Sequence, residues 1–527
     1  MNPEVLNAAR TAFPPSTGTV TLGAVVHEGA CHPEPVITLP LSMLNRHGLI
    51  AGATGTGKTK TLQLIAEQLS VAGVPVFLSD VKGDLSGIAT AGEESERVRQ
   101  RAADTGHAWK AAGMPVEFLS LSGAVGAQMR ATVSSFGPLL LSKVLGLNET
   151  QSSVLTLVFE YCDDKGLLLL DLSDLRAVLT YLSGEGAAEL KSYGGMSKAT
   201  VGVLLRELIE LEAQDAERFF GEPEFDLDDL LRTAADGRGI VSVLELQDVQ
   251  DKPVLFSTFM LWMLATLYHT LPEVGDVDKP KLVFFFDEAH LLFDNASKAL
   301  KDQVEQVVRL IRSKGVGVFF ITQNPRDVPA EILGQLGHRV QHALRAFTPD
   351  DEQALRSAAR TFPKTTFYDV EETLTTLGIG EALVTTLSPN GVPTQPFATR
   401  LVPPSSRMGP LTADELRQRL AESGQVRKYA EMIDRESARE MLEARMAEAQ
   451  EEEQSRDDVR EAARRADRTP RRSSADDDYE ARSRSTGRNR AQKSTLEKVL
   501  SSPTSKQFAR TLARGLMGAL LGGRGRR

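Results

Sequence analysis

Along the 527-residue chain, short unbroken apolar runs alternate with longer stretches of helical periodicity. The runs His47 to Ala51, Val74 to Ser79 and Val116 to Leu121 each end in turn residues, and helix-like segments connect the first two pairs, which is how a parallel sheet is written. Two shorter β-like runs, Val20 to Val26 and Val36 to Leu39, precede them within a short N-terminal β segment, residues 1–46. From Gly137 to about Ala235 the period becomes helical, with Val201, Leu204, Leu205, Leu208, Ile209 and Leu211 on one stripe. Strand signals return at Ile240 to Leu246, Leu282 to Phe286, Val316 to Ile321, Arg339 to Leu344 and Glu381 to Thr386, and a Pro-rich stretch after Leu401 closes the pattern. The prediction is a doubly wound α/β core in two parts, 47–136 and 237–402, with a helical insertion over 137–236 packed on one face of a mostly parallel sheet.

After Leu411 the composition shifts to Ala, Glu, Arg and Met, with apolar residues only at scattered positions such as Tyr429, Ile433, Met441 and Leu442. This predicts a long exposed charged helix or weak coiled coil over 411–450. Residues 451–492 are dense in Arg, Asp and Ser, too polar to bury an ordering core, and read as a disordered linker. In the tail, 493–527, Phe508, Leu512, Leu516 and Leu520 repeat every four residues beside Arg510 and Arg514, the spacing of an amphipathic helix.

Charge sharpens that division. The whole chain carries −10, yet from Ala481 to Arg527 twelve Lys or Arg face the single acid Glu497, a net of +11. Such a tail attracts phosphates or is simply solvated; the body as a whole is no nucleic-acid coater. Only Cys31 and Cys162 are present, which excludes a disulfide framework and paired-cysteine zinc sites. The apolar runs noted around Leu167 to Leu170 and Leu516 to Leu521 are too short to cross a bilayer, and the first residues lack a secretory pattern. A cytoplasmic protein with no integral membrane segment is expected.

Two motifs carry chemistry. GATGTGKT, Gly52 to Thr59, fits the phosphate-loop pattern and lies between a strand and a helix beginning near Lys58. Gly52, Gly55 and Gly57 permit backbone conformations that let the N–H groups of Ala53, Thr54, Thr56 and their neighbours through Lys60 face phosphate oxygens. Lys58 is placed for the β- and γ-phosphates, and Thr59 for Mg²⁺. LVFFFDEAH, Leu282 to His290, is a buried-strand signature ending in two acids. Asp287 is the candidate Mg²⁺ partner and Glu288 the candidate base for the attacking water, with a cap on the following helix as the competing role. The cofactors implied are ATP and Mg²⁺.

Although the letters DEAH invite comparison with two-domain helicases, too few residues separate Phe347 from the Pro-rich stretch to hold a second motor domain, so His290 reads as structural. Gln323, after the strand ending at Ile321, is a candidate γ-phosphate sensor or a loop hydrogen-bonding residue. Among Arg309, Arg312, Arg339 and Arg345, Arg312 is the favoured finger for a neighbouring subunit's site, against the reading of a solvent-facing arginine. The segment Asp80-Val81-Lys82-Gly83-Asp84 lies near the nucleotide edge, either touching Mg²⁺ water or a neighbour or forming a salt-bridged turn.

These segments, with MRATVSSFGPLLLSKVLGLN, YGGMSKATVG, GVGVFFITQNPRDVP and LGHRVQHALRAFTP, resemble the HerA-like branch of the HerA and FtsK ATPases, in particular its bacterial YjgR-type members. The resemblance spans about Leu22 to Val402. It implies a RecA-like P-loop core, Mg·ATP hydrolysis, assembly into a homo-oligomeric ring, most simply a hexamer, and movement of DNA; the family's motif positions fall on Lys58, Thr59, Asp287, Glu288, Gln323 and Arg312. The short segment before Gly48 argues against the β-barrel through which archaeal relatives engage a nuclease partner. Two other readings stay open: a nucleotide-gated scaffold recruiting a protein or membrane surface through its C-terminal helices, and a phosphotransferase using a small-molecule acceptor.

Overall fold

Apolar residues alternate between two cores in the inner strands, and that alternation fixes the architecture. In the run Leu282–Phe286, Leu282, Phe284 and Phe286 join one apolar cluster, while Val283 and Phe285 join another on the opposite face. The neighbouring strand Val316–Thr322 divides in the same way, with Val318 and Phe320 on the first face and Phe319 and Ile321 on the second. A strand apolar on both faces needs cover on both.

The computed structural model describes residues 3–250, 252–275, 277–293 and 298–467. Among them twelve strands form one sheet: β1 (Thr19–His27), β2 (Ala30–Pro40), β3 (Gly48–Ala51), β4 (Val76–Asp80), β5 (Val116–Ser120), β6 (Ala127–Gln128), β7 (Val241–Glu245), β8 (Leu282–Phe286), β9 (Val316–Thr322), β10 (His338–His342), β11 (Glu381–Thr385) and β12 (Phe397–Leu401). Their spatial order is β2-β1-β12-β11-β10-β3-β9-β8-β4-β7-β5-β6. From β10 to β6 every pairing is parallel, so the C-terminal tips of these strands line one edge. From β10 through β11, β12 and β1 to β2 the pairings are antiparallel. This is the RecA-like α/β arrangement, mostly parallel at its centre.

The helix Lys58–Val71 covers one face through Leu62, Ile65, Ala66 and Leu69. The other face is covered by Pro253–Thr270 and Lys298–Ile311, with the helical region behind them. Pro253–Thr270 is apolar on all sides, with Phe259, Met260, Leu261, Trp262 and Met263 buried between sheet and insertion. It is longer than either of the apolar runs noted in the sequence, yet among the described residues no helix is long and apolar enough to cross a membrane.

The C-terminal region departs from the expected single helix. It forms Ala413–Glu422, Gly424–Tyr429 and, after an irregular stretch, Ala438–Asp467. Tyr429 and Leu442 are buried rather than scattered on an exposed surface. Tyr429 stacks on Phe225 with ring centroids 4.8 Å apart, and its hydroxyl donates to Asp229 Oδ2 at 2.7 Å while accepting from the Asp226 N–H at 3.0 Å. Sparse apolar groups in a polar sequence thus serve as anchors onto the insertion. The helix also runs past Glu451 to Asp467, into the segment whose composition predicts disorder; i,i+3 and i,i+4 charge pairs such as Arg456 with Glu452 and Arg460 with Asp457 accompany it. The rest of that segment, and the 493–527 tail, lie outside the described residues.

Candidate nucleotide site

The segment Gly52 to Gly57 joins β3 to the helix Lys58–Val71 at the C-terminal edge of the sheet. Its course is set by two flanking strands: the Gly52 N–H donates to the Thr322 carbonyl at 3.3 Å and the Ala53 N–H to the Ala343 carbonyl at 2.8 Å. The Gly380 N–H closes it from the side, donating to the Thr56 carbonyl at 2.9 Å. Gly55 and Gly57 have φ of +78° and +115°, where a Cβ is strained, and a Cβ at Gly52 would stand 2.5 Å from that of His342. Because the helix begins at Lys58, the first-turn N–H groups of Lys58, Thr59 and Lys60 have no intrahelical acceptor and leave a positive end facing the loop. The Lys58 ammonium curls into the loop, donating to the carbonyls of Gly52 at 2.7 Å and Ala53 at 3.2 Å.

Beneath the loop His342, at the tip of β10, bonds Thr61 Oγ1 at 2.8 Å. Burial, and then the Lys58 charge, depress its pKa to about 4, so it supports the loop as a neutral ring.

β9 lies between β3 and β8. The glycine loop and the acid pair are therefore one strand apart, not on adjacent tips, and Gln323 stands between them. Thr54 Oγ1 donates to Gln323 Oε1 at 3.3 Å, joining the intervening tip to the loop. At the end of β8 the Asp287 N–H donates to Ser79 Oγ at 3.0 Å and the Glu288 N–H donates to Asp287 Oδ1 at 3.0 Å. Asp287 Oδ2 is buried without a hydrogen-bond partner, an acceptor suited to a cation. Burial, reinforced by the Glu288 charge, raises the Asp287 pKa to about 7. Glu288 has φ +48°, unusual for a side chain other than glycine, and is 4 % exposed. Its Oε1 accepts from Lys82, and its Oε2 lies 3.3 Å from His290 Nδ1. Burial lowers the Lys58 pKa, while the charges of Glu288 and Asp287 act against that. Loop lysine and acid pair share one electrostatic neighbourhood.

The sheet thus brings together Gly52 to Thr59, Asp287, Glu288 and Gln323. Lys60 departs in part: burial lowers its pKa, and the charges that oppose this are Asp84 and Asp80, so its ammonium belongs to the neighbouring turn while its N–H belongs to the loop. Arg312 lies before β9, at the opposite end of the strands, where the Asn45 amide donates to its carbonyl at 3.4 Å. There it lines a cavity of about 640 Å³ with Arg46, His47, Arg309, Arg339 and Phe362.

Three groups at this edge escape the motif reading. Asp327 accepts from the Asn324 N–H at 3.0 Å and from Thr322 Oγ1, fixing the turn after Gln323. His342 supports the loop through Thr61 Oγ1. Glu245 ends β7 in register with Asp80 on β4, 2 % exposed, with its pKa raised to about 8 by burial and then by the Asp80 charge. Its signal is present in the sequence: VSVLE and VFLSD both end an apolar run in an acid, as LVFFFDE does.

Among curated proteins, the probable helicase MJECL08 of Methanocaldococcus jannaschii is 25 % identical over 154 residues, covering 27 % of this chain and 28 % of that protein. The probable helicase MJ1565 of the same organism is 30 % identical over 110 residues, 21 % of this chain and 20 % of that protein. The aligned part of this chain thus spans only about a quarter of the length of these relatives. Of solved structures, the bacterial conjugative coupling protein TrwBΔN70 in its unbound form has a TM-score of 0.49 at 12 % identity, over 77 % of this chain and 94 % of that one. The model of the helicase HerA-like C-terminal family matches residues 27–527, and the chain belongs to that family.

Proposed function

We propose that this protein is a Mg·ATP-hydrolysing motor that works as a homo-oligomeric ring, a hexamer, and translocates on or unwinds DNA. The observation that carries the ATPase reading is the meeting of the glycine loop, Gln323 and the Asp287–Glu288 pair at the tips of β3, β9 and β8. In this reading the N–H groups from Gly52 to Lys60 bind phosphate oxygens, and Lys58 exchanges its loop carbonyls for the β- and γ-phosphates. Thr59 and the unpartnered Asp287 Oδ2 are the groups that would hold Mg²⁺, which when bound offsets charge on the phosphates. Glu288 accepts the proton of the attacking water, and Gln323 senses the γ-phosphate.

The ring and DNA parts of the proposal rest on family membership and on charge. The family's name and the names of the two archaeal relatives are those of helicases. The edge before the strands carries Arg46, Arg309, Arg312 and Arg339, opposite the edge that holds the glycine loop, so a head-to-tail neighbour in a closed ring would bring arginines to the nucleotide. Arg312 is the residue we assign to the neighbour's nucleotide.

The deciding experiment is the ATPase rate with and without Mg²⁺, single-stranded DNA and double-stranded DNA at two salt concentrations, together with the mass in solution. Stimulation by DNA that weakens with salt, from a species of ring mass, is expected. Turnover indifferent to DNA in both forms would remove the motor reading and leave an ATPase.

A further inference from the structure

The segment Asp80 to Asp84 has no part in the proposal above, yet it reaches the same acid pair. Its shape is dictated locally. The Asp80 carboxylate, at the tip of β4, accepts the Gly83 N–H at 2.7 Å and the Asp84 N–H at 3.3 Å on Oδ1, and the Leu85 N–H at 2.8 Å on Oδ2. Gly83 has φ +72°, and a Cβ there would fall 1.6 Å from the Gln247 side-chain amide nitrogen, so the turn admits only glycine without rearrangement. The Gln250 amide, in turn, donates to the Val81 carbonyl. Lys82 therefore leaves a backbone held on both sides of it, and its ammonium binds Glu288 Oε1.

What that contact does follows from the surroundings of Glu288. Its side chain is 5 % exposed against 47 % for Lys82, and it stands directly after another buried carboxylate. Two adjacent carboxylates repel, and a glutamate has three rotatable bonds with which to turn away. Lys82 holds Oε1, while Oε2, 3.3 Å from His290 Nδ1, is buried with no hydrogen-bond partner. A carboxylate has about four lone-pair directions, so a water can still be accepted by the held group.

We propose that Lys82 is a positioning residue for ATP hydrolysis: from the rigid turn after β4 it anchors Glu288 Oε1 and so aims the carboxylate at the attacking water. This rests on the reading of Glu288 as the base. Lys82 acts through Glu288 and not on the phosphates.

The test is a double-mutant cycle in the full chain, with turnover of Mg·ATP and affinity for a non-hydrolysable ATP analogue measured on each variant. Lys82→Ala lowers kcat by about 10- to 100-fold while analogue affinity stays within about twofold, and Lys82→Arg, which keeps a cation in reach, recovers turnover to within about fivefold of the parent. In the Glu288→Gln background Lys82→Ala lowers the residual rate by less than about twofold, because the group it positions is already gone. A thermal unfolding midpoint unchanged in Lys82→Ala separates this from damage to the fold; if that midpoint falls, Lys82→Arg and Lys82→Met decide on the same two readouts. The proposal is overturned by an unchanged kcat in Lys82→Ala, by loss of analogue affinity in step with kcat, or by multiplicative losses in the double variant. A parent without ATPase activity, or a Glu288→Gln variant as fast as the parent, is a different failure: it removes the base assignment itself, and the role of Lys82 goes with it.

Discussion

Glu245 offers a prediction that can be worked from the structure without reference to turnover. It ends β7 beside Asp80 on β4, is 2 % exposed, and its Oε1 has no hydrogen-bond partner. Burial, and then the charges of Asp80, Asp248 and Asp84, raise its pKa from 4.5 to about 8 against a hydrogen bond from Gln247. The folded protein therefore binds a proton at Glu245 that the unfolded chain has released between pH 4.5 and 8, so this group makes stability fall as pH rises through that window. At about 1.4 kcal/mol per pKa unit the full shift is a ceiling of about 5 kcal/mol, and relaxation and water entry at the edge of the sheet reduce it to about 2 kcal/mol. Glu245→Gln keeps the shape and removes the charge. It should match the parent at about pH 4, below the unfolded pKa, and exceed it at pH 9, by about 2 °C in unfolding midpoint for a chain of this size. Differential scanning calorimetry at the two pH values measures this. A variant less stable by the same amount at both would refute the reasoning, because it would mean that the carboxylate is charged and compensated throughout.

Lys58→Ala should weaken nucleotide binding by at least about 100-fold in a fluorescent-analogue titration, whereas Glu288→Gln should bind like the parent and hydrolyse about 10²- to 10⁴-fold more slowly. Equal losses of binding would show that Glu288 is not the base. Doping Arg312→Ala subunits into parent rings should depress ATPase activity more than in proportion to their fraction; a linear decline would remove Arg312 from the neighbour's site. Tyr429→Phe, which deletes the hydroxyl contacts to Asp229 and Asp226, should loosen the C-terminal helices by about 1–2 kcal/mol, read as faster amide exchange across Gly424–Tyr429 without loss of turnover.

The inner strands are legible in the sequence because burial on both faces leaves unbroken apolar runs, and LVFFF and VGVFFIT mark β8 and β9 within a residue. Pro253–Thr270 is harder for the opposite reason: a helix apolar on every side has no 3.6-residue period to detect. β12, Phe397–Leu401, lies between Pro-containing stretches that read as loop until β11 and β1 pair with it. The burial of Tyr429 and Leu442 escapes notice because a few anchors in a charged helix look like noise until the insertion they dock on is folded.

For the site, the same contrast separates motif from arrangement. The glycine loop and the acid pair are local patterns, each visible as a run of residues whose spacing has a chemical purpose. That Gln323 sits between them depends on the parallel order β3-β9-β8, which no local pattern states. The Lys82–Glu288 contact joins residues 206 apart in the chain, and each partner has an ordinary local role, a lysine in a turn and a glutamate after a strand. Only the parallel pairing of β8 with β4, which sets Phe286 beside Ser79, carries the turn after β4 onto the acids after β8. The register of one strand pair is thus what converts a turn motif of open purpose into a constraint on the candidate base, and any change that shifted β4 against β8 would separate Lys82 from Glu288 while leaving every motif in the sequence intact.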